Sequence, residues 1–330
     1  MKKLIGICAI LLLLTGCGKT NEKEVLKDLN KKISSMDSYY LEGNMEIVNN
    51  EDVYKYDINV SYKAKDFYKV SLKNESNGHE QIILKNNEGV FVLTPSLNKS
   101  FKFESEWPYS NSQVYLLDSL LKDMKNDKSL EFKEENGDYV FTSKVNYPNN
   151  RTLVKQNIYL DKNLNFKKVD VLNGNSVAEI KMNFNTIDAN RKFDDEYFSL
   201  NKNIEASAID ESVKSVTKIE DAIFPMFLPD NTTLKSKDSV SKEDGERIIL
   251  TFAGDKPFVL VEETVSIPSE IEIIPTIGEP TLLIDTIGSL SDDSVSWISN
   301  GMQYYIASSA LSQDELLSVA KSISTIPVMK

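Results

Sequence analysis

The sequence predicts a mainly β chain of the α+β class, built on antiparallel strands and divided into two units, and three observations carry that prediction. Over much of the first two hundred residues apolar and polar side chains alternate, the period of strands with one buried face. Asn136-Gly137, Asn173-Gly174 and Asn300-Gly301 fall between such runs, where tight hairpin turns need residues that tolerate positive φ. Charge is uneven: in a chain of formal net charge −12, the stretch from residue 215 onward has 8 Lys+Arg against 18 Asp+Glu, an asymmetry that marks two units. A length of 330 residues also exceeds what one ordinary core organises.

The N-terminus says where these units work. Lys2 and Lys3 precede an uncharged apolar run, Leu4 to Leu14, and Leu14-Thr15-Gly16-Cys17 closes it with the bulky, small, small, Cys order of a lipoprotein signal. As a helix that run would rise about 16 Å at roughly 1.5 Å per residue, against a hydrocarbon core of about 30 Å, so it is too short to span. The expectation is a signal peptide over residues 1–16, a diacylglyceryl or palmitate-type lipid anchor on Cys17, and a chain held on the extracytoplasmic face of the cell membrane. Two acyl chains anchor stably, because each buried methylene contributes roughly 0.8 kcal/mol.

Processing removes Lys2 and Lys3, taking the formal charge from −12 to −14; such a surface repels nucleic acid and anionic headgroups. Cys8 leaves with the signal and Cys17 becomes a thioether, so no disulfide or Cys-bound metal is expected. His79 is the single histidine, which rules out a multi-His zinc site and leaves a Ser-His-Asp arrangement one candidate, in the Asn77-Gly78-His79 turn, where an exposed turn histidine is the better reading. No metal and no cofactor are expected.

Taken in order, Glu22 to Met36 reads as an amphipathic helix on Val25, Leu26, Leu29, Ile33 and Met36. A linker of about five residues places it within roughly 18 Å of Cys17. The period then changes to two: Tyr39, Leu41, Gly43, Met45 and Ile47 alternate with polar neighbours, as do Tyr54, Tyr56, Ile58, Val60 and Tyr62. Further strands are expected at 67–72, 80–85, 90–94, 100–103, 130–133, 139–145, 153–160, 166–172 and 177–185. A Pro-containing loop, Glu106 to Ser112, interrupts them and ends in N-cap residues, after which Val114, Leu116, Leu117, Leu120, Leu121 and Met124 trace a helical stripe. Residues 201–218 have weak periodicity and form the expected linker between a domain over 17–200 and a small α+β domain over 219–330. In the latter, 219–227 reads as a short helix, and strands are expected at 247–253, 258–265 and 282–284, with a hairpin over 295–309. Ser312 and Glu315 have capping-box spacing ahead of a final helix, with Leu311 and Leu316 at staple positions.

His79, Ile82-Ile83-Leu84, Val90-Phe91-Val92-Leu93-Thr94-Pro95, Asn98-Lys99-Ser100-Phe101-Lys102-Phe103, Trp107-Pro108 and Ser112-Gln113-Val114-Tyr115-Leu116-Leu117 together resemble the central block of Gram-positive sporulation lipoproteins related to the LolA lipoprotein carrier. The resemblance covers most of residues 17–200, and the second domain resembles the small domain of unknown function appended to such proteins. It implies a LolA-like curved antiparallel half-barrel whose concave face is covered by helices. It also implies a noncatalytic, membrane-anchored binding protein of spore assembly or germination, located in the forespore intermembrane space, with a spore-cortex amidase or an acyl chain as partner. A regulatory sensor acting on an anti-sigma factor is the alternative, because LolA-like domains also occur there beside a smaller domain; a carboxylate-dependent cell-wall hydrolase is a third reading. A carrier shuttles as a soluble protein, whereas Cys17 fixes this chain to a bilayer.

The residues singled out for ligand or partner binding are Trp107, Pro108, Tyr109, Gln113, Tyr115, Leu116 and Leu117: a lid over an apolar pocket, or a plug that fills the curved sheet as core. Tyr39, Tyr40, Tyr54, Tyr56, Tyr62 and Tyr68 read mostly as sheet packing, with a minority available as a protein-docking surface, since such rings bury area while keeping a polar tip. Asp194-Asp195, Glu262-Glu263 and Asp292-Asp293 are carboxylate pairs of the kind that metal binding or glycosidase chemistry uses; adjacent residues of a strand point to opposite faces, so the Glu262-Glu263 dipeptide does not converge on one ion.

Overall fold

A computed structural model of the protein describes residues 21–49, 52–148, 150–194, 196–206, 216–243, 245–283 and 285–323. The signal segment and Cys17 lie outside the described residues, as do 207–215 of the expected linker.

In chain order the elements are α1 (Glu22–Ser34), β1 (Ser38–Asn49), β2 (Asp52–Lys63), β3 (Phe67–Asn74), β4 (Glu80–Asn86), β5 (Gly89–Thr94), β6 (Lys99–Phe103), α2 (Leu117–Asn126), β7 (Glu131–Glu135), β8 (Asp138–Lys144), β9 (Leu153–Leu160), β10 (Phe166–Asn173), β11 (Ala178–Ala189) and α3 (Leu200–Ala206). There follow β12 (Thr232–Lys242), β13 (Gly245–Gly254), β14 (Phe258–Thr264), β15 (Glu272–Thr276), β16 (Glu279–Leu282), β17 (Ile287–Leu290), β18 (Ser294–Ser299), β19 (Met302–Ala307) and α4 (Gln313–Lys321). The chain is mainly β with few helices, as expected.

Two sheets result. The first has the order β15-β6-β5-β4-β3-β2-β1-β11-β10-β9-β8-β7 and the second β12-β13-β14-β19-β18-β17-β16. Sequential hairpins build the first from β1 outward in both directions, and β11 returns to pair with β1. Tyr56, Ile58 and Val60 of β2 and Leu41 and Met45 of β1 turn to one face and are buried there against Val25, Leu29 and Ile33 of α1 and Leu117, Leu120, Leu121 and Met124 of α2. Asn21 caps α1 by accepting from Lys23 N at 3.1 Å, and Glu22 and Glu24 at its start with Lys31 and Lys32 at its end complement the helix dipole. β4 and β5 are buried on both faces: Ile83 and Val92 join the helix-side core, while Ile82, Leu84, Phe91 and Leu93 pack behind it with Phe198 and Leu200. That double burial explains their unbroken apolar runs.

The turns form where the dipeptides place them, with one variation. Asn136-Gly137 and Asn300-Gly301 have positive φ at both positions, as a type I′ hairpin demands. In the β10–β11 turn Ser176, at φ 62°, takes the left-handed conformation instead, and Asn173 Oδ1 accepts from Asn175 N and Val177 N, both at 3.0 Å.

Several elements differ from expectation. Ser112 does not cap α2, which starts at Leu117. Ser112 instead bonds reciprocally to Asn146, its N–H to the carbonyl and its Oγ accepting from the amide, both at 2.8 Å. Val114 to Leu116 are therefore buried without being helical. Residues 219–227 form no helix: Ile219 N and Ile223 N donate to the carboxylates of Glu246 and Glu262, at 3.0 and 2.9 Å, and Met226 N donates to Ser322 O at 3.2 Å. Those donors are taken by the second sheet and the end of α4, so none serves an i→i−4 bond, and Pro225 and Pro229 add to the break. β12, β15 and β17 are strands where none was expected, and α3 is a helix at the start of the expected linker. The strand expected at 282–284 is instead β16, ending at Leu282, with residue 284 outside the described residues. The final helix has its capping box in full, with Ser312 and Glu315 satisfying each other's backbone N–H.

β15 is the least expected element. It lies between strands of the second sheet in sequence, yet pairs in parallel with β6 at the edge of the first. Lys99 Nζ binds Glu272 at 2.9 Å and Asn98 Nδ2 donates to Pro268 O at 2.9 Å, so the C-terminal part extends and covers the edge of the N-terminal sheet.

Candidate functional site

The site is built where the two sheets meet. A cavity of about 140 Å³ is lined from the first sheet by Met45, Ile47, Leu72, Ile83, Leu153 and Ile180, from the segment before α2 by Asn111 to Tyr115, and from the C-terminal part by Pro280 to Leu283, Ile287, Leu317 and Lys321. Its wall is mostly apolar because the alternation of β1, β3, β4, β9 and β11 sends one set of side chains to the helix-covered face. Glu179 and Lys321 also line it; burial holds the Lys321 ammonium below its usual range, opposed by the Glu179 carboxylate. Tyr147 shares the lining, and burial drives its phenol well above the ordinary value. The chamber thus has the shape and wall for an apolar group, with one lysine amine at its edge.

The seven residues singled out from sequence divide three ways. Gln113 and Tyr115 line the cavity, where Tyr115 OH donates to Gln113 Oε1 at 2.8 Å and Gln113 Nε2 donates to Asn111. Trp107, Leu116 and Leu117 are each 1% exposed and belong to the core that fills the sheet, and Pro108 is buried beside them. Tyr109 alone of the seven is exposed; its hydroxyl donates to Asp66, and Lys85 Nζ stands 4.5 Å from its ring centroid.

Trp107 ends an aromatic ladder. Tyr39, Tyr62 and Tyr68 stand in register on β1, β2 and β3, with centroids 5.1 and 5.0 Å apart, and the Tyr68 ring meets Trp107 edge-on at 5.7 Å. Tyr68 OH donates to Asp118 of α2 at 3.3 Å. Burial raises the Asp118 carboxyl above its usual range, a shift the Tyr68 bond opposes. The tyrosine series is thus largely packing, as its alternation implied.

The carboxylate pair of β14 separates as strand geometry requires. Glu262 is fully buried, facing Tyr304 across the β14–β19 ladder and accepting Ile223 N–H, and burial pushes it up to about 7. Glu263 points the other way, 2.5 Å from Arg247. His79 Nδ1 stands 3.5 Å from Ser96 Oγ in a separate polar crevice of about 310 Å³. Among the described residues no group of three or more His, Cys, Asp or Glu is placed to hold a metal ion, and no helix is long and apolar enough to cross a membrane.

Sequence reasoning missed the C-terminal half of the cavity wall. Pro280 to Leu283 and Lys321 stand more than a hundred residues from the Trp107 loop, and no local period signals that they converge on it.

A two-sheet, mainly β chain with a helix-covered first sheet and a cavity at the junction is the class that fold and site define. The chain is 37% identical over 322 residues to the sporulation protein YdcC of Bacillus subtilis (strain 168), which spans 97% of this chain and 95% of that one, and it belongs to that protein's family. No family model matches the chain. Among solved structures, a Pseudomonas aeruginosa MucA/MucB complex aligns over 89% of this chain and 97% of its own at 13% identity and a TM-score of 0.33. A complex of the CwlD amidase from Clostridioides difficile with the GerS lipoprotein aligns over 53% and 96% at 20% identity and a TM-score of 0.21. Overlaps this loose leave the architecture to rest on the strand order above.

Proposed function

We propose that this chain is a noncatalytic binding protein of sporulation, tethered through Cys17 outside the cytoplasmic membrane, that receives an apolar group of its partner between its two sheets. The observation that carries the reading is the junction cavity, whose largely apolar wall is contributed jointly by both parts of the chain. Kinship with a sporulation protein along the whole length supports the setting, and the box at Leu14 to Cys17 supports the anchor. At about 140 Å³ the cavity is smaller than the roughly 300–1,000 Å³ of typical ligand sites. It holds a side chain or the end of an acyl chain as it stands, and more only on widening.

A protein partner of the spore-cortex amidase type is the occupant we assign. Crosslinking the tethered protein in sporulating cells, followed by affinity purification, is expected to recover a cell-wall amidase. Recovery of a single-span anti-sigma factor would replace this reading with a regulatory one. Palmitate labelling tests the anchor separately: Cys17→Ala is expected to abolish incorporation, and unchanged labelling would refute the tether.

A further inference from the structure

Glu279 opens β16, and the four residues after it, Pro280 to Leu283, form one stretch of the cavity wall. Ser110 closes the loop that carries Trp107, and the five residues after it, Asn111 to Tyr115, form another. A single carboxylate oxygen joins the two stretches at their starts: Glu279 Oε2 accepts the hydroxyl of Ser105 at 2.6 Å and that of Ser110 at 2.9 Å. Ser105 Oγ in turn accepts Trp107 N–H at 2.9 Å.

We propose that Glu279 is a latch, and that the cavity opens by parting residues 110–115 from 279–283 when that carboxylate lets go. The proposal deepens the binding reading above and rests on it. The distribution of bonds singles out this seam. Elsewhere the two parts are held by backbone pairing of β15 with β6, with Lys99–Glu272 and Asn98–Pro268 beside it, and by Gln81, whose Oε1 accepts from Ile287 N at 2.5 Å and Thr286 Oγ1 at 3.1 Å. Arg151 adds a further tie: its backbone N–H donates to Asp314 at 3.3 Å and its Nε lies 3.5 Å from the same carboxylate. The remaining ties of the Trp107 loop run to the first sheet's own side: Tyr109 OH to Asp66, Lys122 Nζ to Tyr109 O at 3.1 Å, and Asn146 Nδ2 to Ser110 O at 3.1 Å. Withdrawal of Glu279 therefore leaves the loop seated on its own sheet and the β15–β6 pairing intact as a hinge, while the seam widens. A chamber below the usual ligand size then gains the space a larger apolar group needs.

The test uses the chain from residue 18 onward, which keeps every described residue, with Glu279→Ala and the double variant Ser105→Ala/Ser110→Ala. Glu279→Gln, which keeps an acceptor oxygen, is the conservative control. Hydrogen exchange without ligand is expected to quicken about tenfold over 104–116 and 279–283 in the first two variants, with the rest of both sheets unchanged, and to stay near wild type in Glu279→Gln. Stopped-flow uptake of the apolar dye N-phenyl-1-naphthylamine is expected to quicken by a similar factor. Unchanged exchange at the seam, quickened exchange spread through both sheets, or dye uptake at an unaltered rate would each overturn the latch. Quickened local exchange with no dye uptake by any variant would leave the latch standing and sink the binding reading instead.

Discussion

At the scale of single residues, burial separates side chains that look alike in sequence. Trp107 and Tyr109 stand two apart, yet Trp107 is 1% exposed and wedged against Tyr68, while Tyr109 is 43% exposed and touches Asp66 and Lys85. Urea unfolding is expected to show a loss of about 3–5 kcal/mol for Trp107→Ala, because the cavity it leaves cannot close, and about 1 kcal/mol for Tyr109→Ala, since only a screened surface contact goes. Glu262 gives a pH signature. Its folded-state carboxyl is raised to about 7 from an ordinary 4.5, so between those values the folded chain holds a proton that the unfolded chain has lost, and stability falls as pH rises through the window. The shift corresponds to about 3 kcal/mol. Thermal melts at pH 5 and pH 8 are expected to show this loss in the wild type and a much smaller one in Glu262→Gln; the half-buried Asp118 and Asp123, also raised by desolvation, contribute with the same sign to both. Equal pH dependence in the two proteins would remove Glu262 from the account.

Strands and helices were legible wherever burial imprints a period on the sequence. β1 and β2 bury one face, and their alternation shows it; α1, β9 and β14 follow their apolar residues nearly to the boundary. β12 was not legible, because ten of its eleven residues are exposed to some degree and it pairs only with β13 at an edge, so no buried face writes a pattern. β15 is illegible for a different reason: its five residues become a strand only through a partner 173 positions away, Lys99 opposite Glu272. At 219–227 local apolar content resembles a helix, but the acceptors that claim its N–H groups come from Glu246, Glu262 and Ser322. Close approach of strands also has a local mark. A Cβ on Gly43 would lie 2.3 Å from Asn183 O on the neighbouring β11, at the point where the β1–β11 register shifts. Gly43→Ala is therefore expected to lower the urea midpoint of the whole chain, by a stability loss of about 2 kcal/mol; an unchanged midpoint would mean that β11 yields freely.

For the molecule as a whole, the N-terminal half of the site was readable and the C-terminal half was not. Of the residues singled out between Trp107 and Leu117, Gln113 and Tyr115 line the cavity, while Trp107, Leu116 and Leu117 fill the core, the plug that is one of the two readings. Sequence marks a buried apolar residue without saying whether a void lies beside it. The second part of the chain then closes the first: β15 covers an edge strand, Gln81 grips the turn before β17, and Pro280 to Leu283 complete the chamber. On the proposed reading the two parts act as one binding body, and an apolar group of the partner held at their junction would tie them together. The most direct measurement is a fluorescence titration of the chain from residue 18 onward with the apolar probe N-phenyl-1-naphthylamine, which reports the junction cavity whatever apolar group the partner inserts, beside Ile180→Trp, which fills the cavity from β11. Saturable binding that Ile180→Trp abolishes while folding cooperatively is the predicted result; no saturable binding by the wild type, or equal binding by both proteins, would contradict the account.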